Sequence, residues 1–191
     1  PSKPKVFWDP IAGPPPQGQG TVIVMVRDFN TMSTVFDWLN SGQHDFQSVV
    51  LDSVTELQKR CIDALVGTSQ MRIQDFGALL REMEALIRKF RDLHMHATNP
   101  IPVVVLITTT KMDNEGTFRP HVQGQLNLSL PYFVDVVGYL HTGLNGETGQ
   151  MERKLLVTSI PGFIAKDRTN RLGYEFVNPN IETMLTQIYG G

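Results

Sequence analysis

At 191 residues and 41% hydrophobic content, the chain is long enough for one compact domain with a buried core. Its 17 lysines and arginines against 19 aspartates and glutamates leave a formal charge of -2, which excludes a global cationic field that would draw the protein onto nucleic acid or an anionic membrane. The one cysteine, Cys61, excludes an internal disulfide, and the longest apolar run, VVVLI at 103–107, is too short to cross a bilayer. A soluble, reducing compartment with no membrane association is the expectation. The opening PSKPKVFW has neither an initiator methionine nor a signal-peptide pattern, so a fragment of a longer gene product is expected.

In chain order, KVFW (5–8) and TVIVMV (21–26) are short β-rich runs separated by DPIAGPPPQGQG, whose prolines and glycines exclude helix and predict a mobile loop. TMSTVFDWLNSG begins at an Asn/Thr capping signal, spaces Met32, Val35, Phe36 and Leu39 for a helix, and closes on Gly42. SVVL predicts a buried strand. Helical patterns follow from Ser53 to about Val66 and from about Ile73 to His96, the second with Leu79, Met83, Leu86, Phe90 and Leu93 on one stripe. That stripe suits packing against a sheet; a coiled-coil seam is the alternative, though the pattern lasts barely two heptads. IPVVVLITTT is nearly continuous in apolar β-branched residues, as in the centre of a parallel sheet covered on both faces.

The polar stretch from Lys111 to Gln125 is too long for a simple turn and is expected to be functional or mobile. VDVVGYLH and RKLLVTS flank the glycine-rich TGLNGETGQME, the pattern of an antiparallel hairpin, and NIETMLTQIYGG is a helix capped at Asn180. Strands alternating with helices and then a hairpin predict an α/β sheet with antiparallel strands at one edge, in a single domain spanning 1–191. No internal repeat is present.

Chemistry concentrates at two places. FQSVVLDSVTELQKR puts Asp52 at the carboxyl end of a buried strand and Ser53 at the start of a helix, and ligands of open α/β sheets bind at such ends. An aspartate after an aliphatic run is the pattern of a Walker B motif, which holds Mg2+ of a bound nucleotide through water; a helix cap is the plain alternative. Glu56, one turn on, is placed to orient a water or simply to favour the helix dipole. Thr108 and Thr110 at the next strand tip can sense a γ-phosphate, although threonine is favoured in strands anyway. The second place is AKDRTNRLG: on an extended segment Lys166 and Arg168 project to one side, suited to one phosphate chain, with Asp167 facing the other way. A charged turn is the alternative. His94 and His96, two apart on a helix, point to different faces and do not make a metal site.

Taken in order, KPKVFWDP, FQSVVLDSVTEL, VVVLITTT, FVDVVGYL, and AKDRTNRLG followed by NPNIETML resemble the bacteriophage-encoded RecA-like P-loop ATPases associated with single-strand annealing and recombination. The similarity runs from about Lys5 to Ile188. It implies a RecA-like three-layer sandwich: a mainly parallel central sheet, helices on both faces, and an antiparallel hairpin at the edge. It further implies ATP and Mg2+ as cofactors, with Asp52 as the Walker B aspartate, Ser53 beside it, and Thr108 or Thr110 at the γ-phosphate. Lys166 and Arg168 correspond to a K-x-R element reaching a neighbouring subunit's nucleotide. KDRTNRLG is also similar to the lysine-and-arginine motif of RadA-type proteins.

The implied partners are single-stranded DNA, further copies of the chain in a ring or filament, and a phage single-strand-binding protein, in the cytoplasm of a bacterial host. For the DNA, Lys111 and Arg119 suit phosphate and Phe118 suits a base. Two departures stand out. No G-x-x-x-x-G-K-[ST] loop is present, and it is expected, with its strand and helix, upstream of Pro1. Where relatives carry an acidic residue two positions after the aspartate matched by Asp9, this chain has Ile11, which leaves Glu56 as the stand-in water-activating carboxylate. The rival expectation is a non-catalytic, ATPase-derived module that binds DNA or a partner.

Overall fold

The structure, a computed structural model, describes residues 5–18 and 20–190. It divides into two compact units, Pro1–Thr109 with His121–Leu126, and Thr110–Pro120 with Asn127–Gly191. Its class is mixed α/β, with small parallel and antiparallel sheets.

In the first unit β1 (Lys5–Trp8) pairs in parallel with β2 (Thr21–Val24), and β3 (Ser48–Asp52) in parallel with β4 (Val103–Ile107). The two pairs are separate two-stranded sheets. A parallel partner cannot be reached by a tight turn, and the β3–β4 crossover is made by two helices, α2 (Val54–Val66) and α3 (Ile73–Asp92). Before them comes α1 (Phe29–Asn40), which starts earlier than the Asn/Thr signal suggested because the Asp28 carboxylate accepts the Thr31 N–H at 2.8 Å and caps the helix there.

The expected stripe of α3 is buried: Leu79, Met83, Leu86 and Phe90, joined by Ile87, are at most 4% exposed. Leu93, also buried, falls in the 3-10 turn that ends the helix. The stripe packs on α2 and α1, helix against helix, where packing on a sheet was expected. Phe36 of α1 meets Phe90 edge to face at 5.8 Å, a favourable aromatic geometry. From α2 come Val54, Leu57 and Cys61; burial, with Glu82 adding, pushes the Cys61 thiol up to about 11 and keeps it neutral.

The proline- and glycine-rich connection after β1, expected to be a mobile loop, is tied by hydrogen bonds. Trp8 Nε1 donates to the Gly13 carbonyl at 2.9 Å, Trp38 Nε1 to that of Pro10 at 3.0 Å, and the Gly18 N–H to the Asp45 carboxylate at 2.6 Å. The Trp38 indole and the Asp45 carboxylate, both distant in sequence, do what local propensity cannot foretell. Gln19 of this stretch lies outside the described residues.

The second unit opens with an antiparallel hairpin, β5 (Thr110–Met112) and β6 (Phe118–Pro120), inside the stretch expected to be a loop. After a short helix α4 (Leu126–Ser129) and a 3-10 turn (Leu130–Phe133), β7 (Val136–Val137) pairs antiparallel with β10 (Lys166–Asp167). β8 (Tyr139–Leu144), β9 (Met151–Leu156) and β11 (Glu175–Val177) form a sheet in the order β11-β9-β8, of which β8–β9 is the expected hairpin. Gly138 separates β7 from β8; a Cβ there would stand 2.5 Å from Leu155 Cδ1, so the position admits no side chain without displacing the neighbour. The closing helix α5 (Ile181–Tyr189) is capped by the Asn180 side chain, as expected. Its Met184 joins Val157 and Leu172 in a small core that also takes in Leu155, Phe176 and Ile188.

Phe90, fully buried, carries a prediction: Phe90→Ala lowers unfolding free energy by about 3–5 kcal/mol. Urea denaturation should show the midpoint falling at unchanged slope. A loss below about 1 kcal/mol would mean that the three-helix core is not what holds the first unit together.

Candidate functional site

The carboxyl end of the β3–β4 pair is the first cluster. Asp52 sits level with Ile107 in the parallel register, which places Thr108 one residue beyond that level on the neighbouring strand. The Asp52 carboxylate is exposed and has no hydrogen bond or ion pair among the described residues. The peptide between Asp52 and Ser53 is cis. Ser53 is committed locally: its side chain caps α2 by accepting the Glu56 N–H at 3.2 Å. The capping role weighed for Asp52 therefore falls to Ser53. Glu56 faces solvent and pairs with Lys59 at 3.2 Å and Arg60 at 3.1 Å on its own helix. The Lys59 hydrogen bond and charge, with Arg60 helping, hold its carboxyl below the usual range.

The threonine run is not used evenly. Thr108 directly follows β4 in the first unit, whereas Thr110 lies in β5 of the hairpin opposite Pro120, in the second unit. It is Thr109 that joins a network. Its N–H donates to Thr55 Oγ1 at 3.1 Å, its hydroxyl lies 3.3 Å from that of Thr55, and it lies 3.4 Å from His121 Nδ1.

The residues proposed for DNA lie in or beside the hairpin. Lys111 is exposed. Arg119 pairs with the Asp113 carboxylate at 2.5 Å, and that carboxylate also accepts the N–H groups of Glu115 and Thr117. The Arg119 hydrogen bond first, then the Thr117 backbone, lowers the Asp113 pKa. Phe118 stacks on Phe163 at 5.2 Å and meets Tyr139 at 5.6 Å, so its ring is an anchor of the hairpin.

Lys166 and Arg168, read as one-sided cations, do turn to the same segment. Lys166 Nζ donates to the Pro131 carbonyl and lies 5.9 Å from the Tyr132 ring centroid. Arg168 donates to the Tyr132 carbonyl at 3.0 Å and to Asp135 at 3.2 Å. Burial pushes the Lys166 ammonium below the usual lysine range, the adjacent Arg168 adds to this, and Asp135 opposes it. Asp167 faces elsewhere: its carboxylate accepts the N–H groups of Thr169, Arg171 and Leu172 and the Thr169 hydroxyl, closing the turn after β10. A cavity of about 370 Å3 adjoins this turn, with Thr158, Ser159, Lys166, Asp167 and Asn170 in its wall.

Sequence reasoning passed over Thr55, Gln58, Thr109 and His121. One signal was available. The inward stripe of α2 reads Val54, Leu57, Gln58, Cys61, and an amide at a core position demands a buried partner. Threonine and histidine in the network carry no such mark.

Asp167 yields a test. Burial alone would raise its pKa, but the hydrogen bonds from Thr169, Leu172 and Arg171 outweigh burial and lower it. A carboxyl depressed in the folded state stabilises above its unfolded pKa of about 3.9, and that contribution is lost as pH falls through the folded value. Asp167→Asn is therefore expected to be less stable than wild type at neutral pH and to lose part of the steepening of denaturation below about pH 4. Equal acid slopes for the two proteins would remove Asp167 as the closure of this turn.

With this geometry in place, comparison with known proteins adds one finding. A family model described as AAA domain matches residues 17–169, from just before β2 through β10 and Arg168. No curated protein matches the chain. No solved structure matches it either. Among the described residues no helix is long and apolar enough to cross a membrane. A match over most of the chain, on a mixed α/β architecture with a free aspartate at a parallel strand end, places the chain in the AAA-domain family, a P-loop ATPase-like family.

Proposed function

We propose that this chain is the core of a RecA-like, Mg-ATP-dependent ATPase that acts in DNA recombination or single-strand annealing, working as a ring or filament of identical subunits in the cytoplasm of a phage-infected bacterium. The observation that carries the reading is the β3–β4 register, which sets the unengaged Asp52 carboxylate beside Thr108 at the carboxyl edge of parallel strands. The AAA-domain match supports it. In a RecA-like sandwich the pairs β1–β2 and β3–β4 would be parts of one central sheet.

An exposed carboxylate with no competing cation is a hard oxygen donor that fits Mg2+ through water. Mg2+ with ATP would supply a phosphoryl group whose charge is already partly neutralised. Of the chain's own residues, Thr108, one residue beyond the level of Asp52, would sense the γ-phosphate. Lys166 and Arg168 would exchange their neutral carbonyl partners, and for Arg168 the Asp135 carboxylate, for the phosphates of the adjacent subunit. Glu56 would have to leave Lys59 and Arg60 to orient a water.

Hydrolysis also needs a phosphate-cradling loop, and the 191 residues contain no G-x-x-x-x-G-K-[ST]. That favours, as the second reading, a non-catalytic ATPase-derived module that binds DNA or a partner.

The natural full-length gene product decides between them. Under the ATPase reading, Asp52→Asn weakens Mg-dependent ATP binding, and Lys166→Ala and Arg168→Ala each reduce DNA-stimulated turnover on the order of 10³-fold with the circular dichroism spectrum unchanged. Turnover at the wild-type level in both cation variants rejects the trans role. Failure of the full-length wild type to bind Mg-ATP rejects the ATPase reading and leaves the module.

For DNA the exposed Lys111 is the cleanest probe. Lys111→Glu should weaken binding to a single-stranded oligonucleotide and lower the slope of log affinity against log salt by about 1. An unchanged affinity and slope would take the hairpin out of the DNA contact.

A further inference from the structure

Gln58 stands in the buried stripe of α2 and is 3% exposed. Both ends of its amide bond one residue 65 positions away: Nε2 donates to the Gln123 carbonyl at 3.2 Å, and Oε1 accepts the Gln123 N–H at 2.6 Å. One turn earlier on α2, Thr55 Oγ1 accepts the Thr109 N–H at 3.1 Å. Thr109 and His121 are tied to each other as well, since the His121 N–H donates to the Thr109 carbonyl at 2.8 Å.

These residues share a place in the chain. Thr109 is the last residue of the first unit before hairpin β5–β6, and His121 is the first after it. The two first-unit segments that flank the hairpin in sequence, at Thr109 and at His121–Gln123, are thus fastened to the same helix, one through a hydroxyl and the other through an amide. Within the hairpin, the Asp113 carboxylate bonds Glu115, Thr117 and Arg119.

A buried amide contributes little net stability compared with an apolar side chain of similar shape, but left unpaired it costs roughly 1–3 kcal/mol. Gln58 therefore discriminates sharply between one conformation and all others. With Gln123 in place it is satisfied; with Gln123 displaced it is a buried polar group without a partner, and water must enter. Entry of water at Gln58 also reaches the neighbouring Thr55 bond, and the Thr109–His121 backbone bond links the two segments mechanically.

We propose that Thr55 and Gln58 form a latch on α2 that holds two segments of the first unit, at Thr109 and at His121–Gln123, and releases them together. Because α2 begins directly after Asp52 and Ser53, the latch would place these two segments under the control of the helix whose start borders the β3 strand end. The latch stands on its own hydrogen bonds and does not depend on what binds at Asp52.

The test is amide hydrogen exchange on the full chain, resolved at Thr109, His121 and Gln123. Thr55→Val removes the hydroxyl and leaves the Gln58–Gln123 bonds intact; Gln58→Met removes the amide and leaves Thr55–Thr109 intact. Each variant is expected to speed exchange at all three amides by about tenfold, including the segment whose own bond was not touched. Thr55→Ser, which keeps the hydroxyl, should return all three amides to wild-type rates. Amides of Met83, Ile87 and Phe90 in α3 should stay protected, which separates release of the latch from loss of the fold. Acceleration confined to the segment whose bond was deleted, or none at either segment, overturns the latch. If Gln58→Met does not fold, the Gln123 amide in Thr55→Val decides the matter alone.

Discussion

The in-register parallel pairing of β3 with β4 is the constraint on which the rest of the first unit depends. Parallel neighbours require a long crossover, and here it is the α2–α3 pair, whose buried stripes supply the apolar area that makes the pairing worthwhile. Once the register is set, three consequences follow without further choice. Asp52 emerges at a strand end, α2 starts beside it, and the chain leaving β4 must pass Thr55 before it can enter the hairpin.

The charged residues obey a second rule, local neutralisation. Glu56 has Lys59 and Arg60, Arg119 has Asp113, and Arg168 has Asp135. The exposed pairs at Glu56 and Arg168 contribute only about 0–1 kcal/mol each, so they do little to hold the fold. For the same reason they yield readily to a stronger anion: a phosphate presented to Arg168 has a weak competitor in Asp135, which is itself largely exposed. Asp52 differs in having no cation beside it, and that absence among the described residues is what makes it a candidate for a metal ion rather than for a structural pair.

Buried polarity behaves differently. The buried Gln58 and its partner Gln123 answer each other donor for acceptor, and the half-buried Asp167 carboxylate accepts several N–H groups of its own turn. Where exposed pairs permit change, buried ones select a conformation. The chain uses the first kind around the candidate nucleotide and DNA residues and the second kind at Gln58 and at the turn after β10.

What the sequence determined by itself was what short-range physics controls. The apolar periodicity of α3, the β-branched run of β4, the Asn180 cap of α5 and the β8–β9 hairpin are all local patterns, and each element formed where its pattern lies. The alternation of Lys166 and Arg168 was likewise legible, because side-chain direction on an extended segment has period two. Tertiary structure decided the rest, because the deciding partners are distant. Trp38 ties by a hydrogen bond a connection that its own prolines suggested was mobile. Phe163 and Tyr139 take the Phe118 ring that composition offered to a base. Ser53 rather than Asp52 caps α2, and Thr109 rather than Thr108 or Thr110 finds a hydrogen-bond network, since a one-residue difference in register determines which hydroxyl meets Thr55. A sequence specifies which groups need partners; only the folded chain, bringing residues more than fifty positions apart to 3.1 Å and 2.6 Å, specifies which partner each one receives.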